Sequence, residues 1–138
     1  MDTIFTKIIN KEIPSYILYE DEIVISFLDI SQTTKGHALV VTKKPYQNIF
    51  EVPEDTFKHL FGVVQKISYA INKAFNPTGL NLLNNNHEIA GQTVFHYHVH
   101  IIPRYTKEEI TITLPNHMDK VNKDSFLLRQ KKIIEELL

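Results

Sequence analysis

Between Pro53 and Phe75 the apolar residues Phe57, Leu60, Phe61, Val64, Ile67, Ile71, Ala74 and Phe75 recur at helical spacing, while Lys58, Gln65, Lys66, Ser68 and Lys73 fall mainly on other sides. A helix over this stretch is about 33 Å long. Its apolar side has to be buried, and the segments around it read as strands. Tyr16 to Tyr19 and Ile23 to Leu28 form a hairpin across Glu20-Asp21-Glu22, Ala38 to Thr42 forms a third strand, and Leu80 to Leu83 forms a fourth after the turn residues Asn76-Pro77-Thr78-Gly79. A fifth begins near Val94. Ahead of them, Thr3 to Asn10 reads as a short helix with Ile4, Phe5, Ile8 and Ile9 on one side and Pro14 closing the segment. Beyond Pro103, Ile110 to Leu114 alternates like a strand and Lys123 to Leu138 reads as a closing amphipathic helix. This order predicts an α+β fold: a mostly antiparallel five-stranded sheet with one long helix between strands three and four, a short N-terminal helix and a C-terminal helix.

The chain has 138 residues, the size of one ordinary domain, so a single domain over 1–138 is expected. It contains no cysteine, which excludes a disulfide framework, a thiol nucleophile and thiolate metal sites. No stretch approaches the roughly 18 apolar residues of a membrane span, and Met1-Asp2-Thr3 opens no signal sequence, so a cytoplasmic protein is expected. A formal charge of −1 argues against DNA or RNA as a partner, because backbone binding needs clustered Lys and Arg. A small anion held by a few local donors stays compatible with it.

The segment that carries chemistry is His96-Tyr97-His98-Val99-His100-Ile101-Ile102-Pro103. In a strand the three imidazoles stand on one face, and Tyr97, Val99 and Ile101 point into a core. The rings would lie roughly 6.6 Å apart, in a row about 13 Å long. Three readings compete. Imidazoles can decorate an exposed strand face without function. Two of them at i and i+2 can share a zinc ion with a third ligand such as His37 or His87, which would leave His100 idle. Alternatively, the middle ring, His98, attacks phosphorus, its neighbours donate to phosphate oxygens, and an acceptor on its other nitrogen fixes the tautomer. Gln92, Thr93 and Asn85 supply amides and a hydroxyl suited to clamping an oxyanion, although the run Asn84 to Asn86 equally marks an ordinary loop.

The residues Gly91-Gln92-Thr93-Val94-Phe95-His96-Tyr97-His98-Val99-His100-Ile101-Ile102-Pro103-Arg104 resemble the signature of the histidine-triad (HIT) superfamily of nucleotide hydrolases and transferases. The likeness extends upstream through Phe5-Thr6-Lys7-Ile8-Ile9, Glu12-Ile13-Pro14, Phe27-Leu28-Asp29-Ile30-Ser31 and Lys35-Gly36-His37-Ala38-Leu39-Val40. It implies that His98 is a nucleophile forming a covalent nucleotidyl-imidazole, with His96 and His100 flanking the α-phosphate and His37 packed nearby. It also implies that Thr93 and Asn85 bind phosphate oxygens and that Asp29 accepts from the ribose hydroxyls, an apt role because a carboxylate is acceptor-only. Phe5, Ile8, Phe27 and Ile30 match the walls of a purine pocket, and plain core packing would explain them equally well.

The resemblance further implies a homodimer, with the long helix and the fourth strand near the interface, and no cofactor. Many bacterial relatives carry Cys-x-x-Cys where this chain has Thr3 and Thr6, and a histidine at Pro45. The zinc site those residues build is therefore expected to be absent, and no metal is assigned. His87 stands where relatives often have glycine. Asn85 occupies a position typically filled by Gln in diadenosine-polyphosphate hydrolases, which places the chain nearer the nucleoside phosphoramidate hydrolase branch. The expected activity is hydrolysis or transfer at the α-phosphate of purine nucleoside phosphoramidates or mixed anhydrides. The alternatives are dinucleoside polyphosphate hydrolysis, or nucleotide binding by a regulator with little turnover.

Overall fold

The computed structural model describes residues 2–137. Its elements are α1 (Ile4–Ile9), β1 (Ile17–Glu20), β2 (Val24–Leu28), β3 (Ala38–Thr42), α2 (Glu54–Phe75), β4 (Gly79–Leu83), β5 (His98–Arg104) and α3 (Lys123–Glu135), with 3₁₀ turns at Glu88–Ala90 and Met118–Lys120. The five strands form one antiparallel sheet in the order β1-β2-β3-β5-β4. The expected α+β fold, with its long helix between the third and fourth strands, is the fold observed.

Alternation gives the sheet two apolar faces. Val24, Ala38, Val40, Val99 and Ile101 pack with Tyr97 against Leu60, Val63, Val64, Ile67 and Ile71 of α2. Ile25, Phe27, Leu39 and Val41 pack on the opposite face against Phe5 and Ile8 of α1. The register pairs Val41 with His98 and Leu39 with His100, so these two histidines belong to the face covered by the short helix. That helix is fixed at its start by a capping box between Thr3 and Thr6.

Two devices hold the rest in place. Asp21 accepts from the backbone N–H groups of Ile23 and Val24 at 2.8 and 2.9 Å, from Tyr19 Oη at 2.8 Å and from His59 Nε2 at 2.7 Å, tying the hairpin to α2. Gly36 has φ +94°, and a Cβ there would lie 2.9 Å from the Phe75 ring, so only glycine lets the chain turn into β3 under the end of α2.

Two expectations need correction. β5 starts at His98, not near Val94, because residues 92–97 form a bend tied to the stretch after β3: Tyr97 N–H donates to Tyr46 O at 2.7 Å, and Gln92 Nε2 donates to Gln47 O at 2.6 Å. Ile110 to Leu114 is not a strand. Arg104 Nη2 donates to the carbonyls of Thr106, Lys107 and Ile110, and Glu109 accepts from Tyr105 and Thr106 N–H, so side chains occupy the backbone groups at the start of that segment. The closing helix expected over Lys123 to Leu138 forms as α3 and ends at Glu135, with none of its residues buried; Leu138 lies outside the described residues.

Candidate functional site

A cavity of about 290 Å³ opens on the α1 face of the sheet. Its walls come from α1 (Ile4, Phe5, Ile8), the chain after it (Ile13, Pro14, Ser15), the end of β2 (Phe27, Leu28, Asp29, Ile30), Leu39 of β3, the bend before β5 (Thr93, Val94), and His98 and His100 of β5. Of the residues singled out from sequence, Phe5, Ile8, Phe27, Ile30, Asp29, Thr93, His98 and His100 line one apolar space with a polar end. Phe5, Ile8 and Phe27 also belong to the buried core, so packing and lining are two faces of the same side chains. Ile30, at 85 % exposure, belongs only to the rim.

His98 is buried, and its Nδ1 lies 2.7 Å from the carbonyl oxygen of His96. A carbonyl only accepts, so Nδ1 carries the hydrogen and Nε2 is left as the unprotonated nitrogen. Burial holds its pKa below the ordinary 6.5, against the opposing pull of that hydrogen bond, so the ring is neutral at pH 7. Phe5 stands edge-on to it at 4.9 Å, fixing the ring plane. Asn84 Nδ2 donates to His98 O at 2.9 Å, a contact not anticipated from the sequence because three consecutive asparagines offer no internal distinction.

His100 and His37 form a second unit. His37 Nε2 is 3.0 Å from His100 Nδ1, and Asp29 Oδ2 lies 3.7 and 4.0 Å from the two nitrogens. His37 Nδ1 is buried without a partner. An unpaired lone pair is less costly there than an unpaired N–H, which puts the hydrogen on His37 Nε2, donated to His100 Nδ1. The proton of His100 then sits on Nε2, the nitrogen free to serve the cavity. Burial, with His98 and His37 adding to it, lowers the pKa of His100 to about 4. Burial raises the pKa of Asp29, but hydrogen bonding from Ser31 outweighs it and leaves the carboxyl ionised below its usual range. Its Oδ1 accepts from Ser31 N–H at 2.8 Å and Oδ2 is available.

All three rings stand on the α1 face, His96 with its centroid 6.0 Å from that of Phe5, but only two of them line the cavity. The rings of His98 and His100 are 5.1 Å apart, but His96 precedes the strand and lies outside the cavity walls. It is fully buried, its Nε2 donates to Thr42 O at 2.6 Å, and its bare Nδ1 is 3.5 Å from Thr3 Oγ1. Gln92 and Asn85 also stand outside the walls. Gln92 Oε1 accepts from His87 N–H at 2.7 Å while Nε2 serves Gln47 O and Val94 O; Asn85 Nδ2 donates to Gly91 O at 3.3 Å.

Asp29, His37 and His100 offer three atoms within 4.8 Å of one another, a spacing a metal ion could bridge. Ligation through His37 Nε2 would move its hydrogen to the partnerless Nδ1, at a cost of about 1–3 kcal/mol, so the surroundings of His37 do not favour an ion. At the position of the relatives' zinc site, Thr3 and Thr6 hydroxyls lie 3.3 Å apart, hydrogen-bonded to each other.

An imidazole with a free nitrogen, a neutral partner and an ionised carboxylate stand around one apolar cavity on the face of an α+β sheet. Residues 10–107 match the HIT domain model, and the chain belongs to the HIT family. It is 58 % identical over 104 residues to "Protein hit" of Bacillus subtilis, covering 75 % of this chain and 72 % of that one. It is 39 % identical over 108 residues to the adenosine 5′-monophosphoramidase hnt1 of Schizosaccharomyces pombe, covering 78 % of each. Among solved structures, a member of the HIT family from Bacillus subtilis superposes with a TM-score of 0.95 at 46 % identity, covering 100 % of this chain and 99 % of the other. No helix among the described residues is long and apolar enough to cross a membrane.

Proposed function

We propose that this chain is a purine nucleotide hydrolase or transferase that cleaves at the α-phosphate of nucleoside phosphoramidates or mixed anhydrides through a nucleotidyl group on His98. The observation that carries the reading is the His98 Nδ1–H bond to His96 O, which leaves Nε2 bare beside a cavity that ends in an ionised Asp29. The purine lies among Phe5, Ile8, Phe27 and Ile30, and the ribose hydroxyls donate to Asp29 Oδ2.

His98 Nε2 forms a bond to phosphorus as the bond from phosphorus to the leaving nitrogen breaks. The electron pair stays with the leaving nitrogen, which takes up a proton. Water then forms the new P–O bond, the P–Nε2 bond breaks with its pair returning to the ring, and the water proton is released. The His100 Nε2–H and the Thr93 hydroxyl donate to phosphate oxygens as charge develops. His96 acts through its carbonyl, which orients the nucleophile, and its own ring is held by Thr42 O.

A support from relatives is the 39 % identity to a protein named an adenosine 5′-monophosphoramidase. The test is His98→Ala assayed with adenosine 5′-phosphoramidate: turnover falls by more than about 10³-fold while AMP still binds. Retained turnover removes His98 as the nucleophile.

The same reading includes a homodimer. Leu80, Leu82 and Leu83 of the edge strand β4 and Tyr69 and Phe75 of α2 are exposed, as are Phe126, Leu127, Leu128, Ile133 and Ile134 of α3. Apolar surface of that extent, with a helix of 13 residues none of which is buried, calls for a covering partner. Light scattering then gives a mass near twice 16.1 kDa.

A further inference from the structure

His87 holds a backbone conformation that belongs to glycine. Its φ is 74° and ψ 156°, a region essentially closed to residues with a Cβ. The strain is held by a closed set of hydrogen bonds: His87 N–H donates to Gln92 Oε1 at 2.7 Å, and its carbonyl accepts from Ala90 and Gln92 N–H. Structure of this kind persists where a side chain is wanted in one place. That place is against Phe50: the two rings stack with centroids 5.8 Å apart and 26° between planes. Both side chains are exposed, Phe50 at 80 %. The loops that carry them are locked together, since Ile49 N–H donates to Asn86 Oδ1 at 2.7 Å and Gln92 Nε2 donates to Gln47 O.

Chain connectivity ties this pair to the site. The cavity draws its walls from α1, β2, β3 and β5 and, through Thr93 and Val94, from the connection between β4 and β5, whose earlier part carries His87. Leu83 pairs with His100, Asn84 holds the carbonyl of His98, and His87 follows three residues later. With the nucleoside in the cavity and phosphorus at His98 Nε2, the group that departs has the β4 side open to it.

We infer that the stacked Phe50–His87 pair is a platform for the leaving group, selecting nucleotide conjugates whose leaving amine or second nucleoside carries a flat aromatic ring. The inference rests on the reading of His98 as the nucleophile and adds the substrate class. Aromatic stacking is worth about 1–3 kcal/mol per ring, so the preference it creates is about 5- to 150-fold.

The experiment compares kcat/KM for two adenosine 5′-phosphoramidates, one of an arylethylamine and one of an alkylamine of similar length, in the native chain, Phe50→Ala and His87→Gly. The readout is the aryl-to-alkyl ratio. The expected ratio is about fivefold or more in the native chain and falls toward unity in both variants, with His87→Gly also raising Tm because glycine occupies that conformation without strain. A native ratio near unity, or a ratio unchanged in the variants, overturns the platform while leaving the His98 reading intact. Absence of any turnover and of any nucleotidyl-enzyme with either substrate overturns both.

Discussion

The ring of His98 donates from Nδ1 to the carbonyl oxygen of His96, two residues earlier, at 2.7 Å. The chain must bend before β5 for a carbonyl to reach back onto a ring in this way, and that bend is what takes His96 off the strand. The first histidine of the motif thus contributes a backbone oxygen, and its imidazole is spent on Thr42. One consequence is that the tautomer of His98 is set without a carboxylate.

The neutral histidines make the protein acid-sensitive. Burial lowers the pKa of His37, His96, His98 and His100, the last to about 4. Unfolding frees each to bind a proton at an ordinary pKa near 6.5, so their contribution to stability is fully present above that pH and is lost as pH falls toward about 4. Tm measured from pH 7.5 down to 4 falls through this window, and the acid limb of kcat/KM lies below 6.5. A Tm flat over that range would contradict the assignment of neutral buried rings.

Asp29→Ala weakens nucleotide binding. Losing a charge-assisted hydrogen bond to ribose costs about 1.5–3 kcal/mol, which titration calorimetry with AMP detects as a Kd raised roughly 10- to 150-fold. A 2′,3′-dideoxy nucleotide is indifferent to the substitution. Equal loss for both nucleotides would assign Asp29 to the histidine pair and not to the sugar.

Thr3→Cys with Thr6→Cys creates a metal site. The two hydroxyls already lie 3.3 Å apart, and the bare Nδ1 of His96 is 3.5 Å from Thr3, with its Nε2–H satisfied by Thr42 O as a ligand histidine requires. Two thiolates and one imidazole, with water as the fourth ligand, bind Zn²⁺ or Co²⁺ at one per chain. Thiolate-to-cobalt charge-transfer absorption that disappears in a further His96→Gln variant checks it; absorption that survives that change points elsewhere.

Asp21→Asn destabilises the fold by about 1–3 kcal/mol, because the carboxylate accepts from two backbone N–H groups, Tyr19 and His59 at once and an amide has only one oxygen. Urea denaturation gives the value. Burial raises the pKa of this carboxyl, but its four donors more than reverse that, so its contribution is present above the ordinary 3.8 and is lost below it.

The boundaries of the legible and the illegible follow from the range of the forces involved. Helical spacing in α2 and alternation in β2 and β3 are local, and the cavity walls Phe5, Phe27, Asp29 and Thr93 followed from residue type combined with the family's pattern. His96, Gln92 and Asn85 were set on the cavity by the same pattern and lie outside its walls, because the bend before β5 turns their polar atoms onto backbone partners such as Thr42 O, Gln47 O and Gly91 O, a long-range choice that alternation alone does not reveal. The alternation of Ile110 to Leu114 had no sheet edge to join once Arg104 and Glu109 had taken the nearby backbone groups. The strain at His87 was visible only as a histidine in place of a glycine.

The most direct measurement is a rapid mix of the protein with adenosine 5′-phosphoramidate, quenched by alkaline denaturant and followed by peptide mass spectrometry. An AMP adduct on the imidazole of His98, formed at least as fast as turnover and missing from His98→Ala, is the predicted result. Turnover at the native rate with His98 unmodified, or an adduct on another residue, would contradict the account.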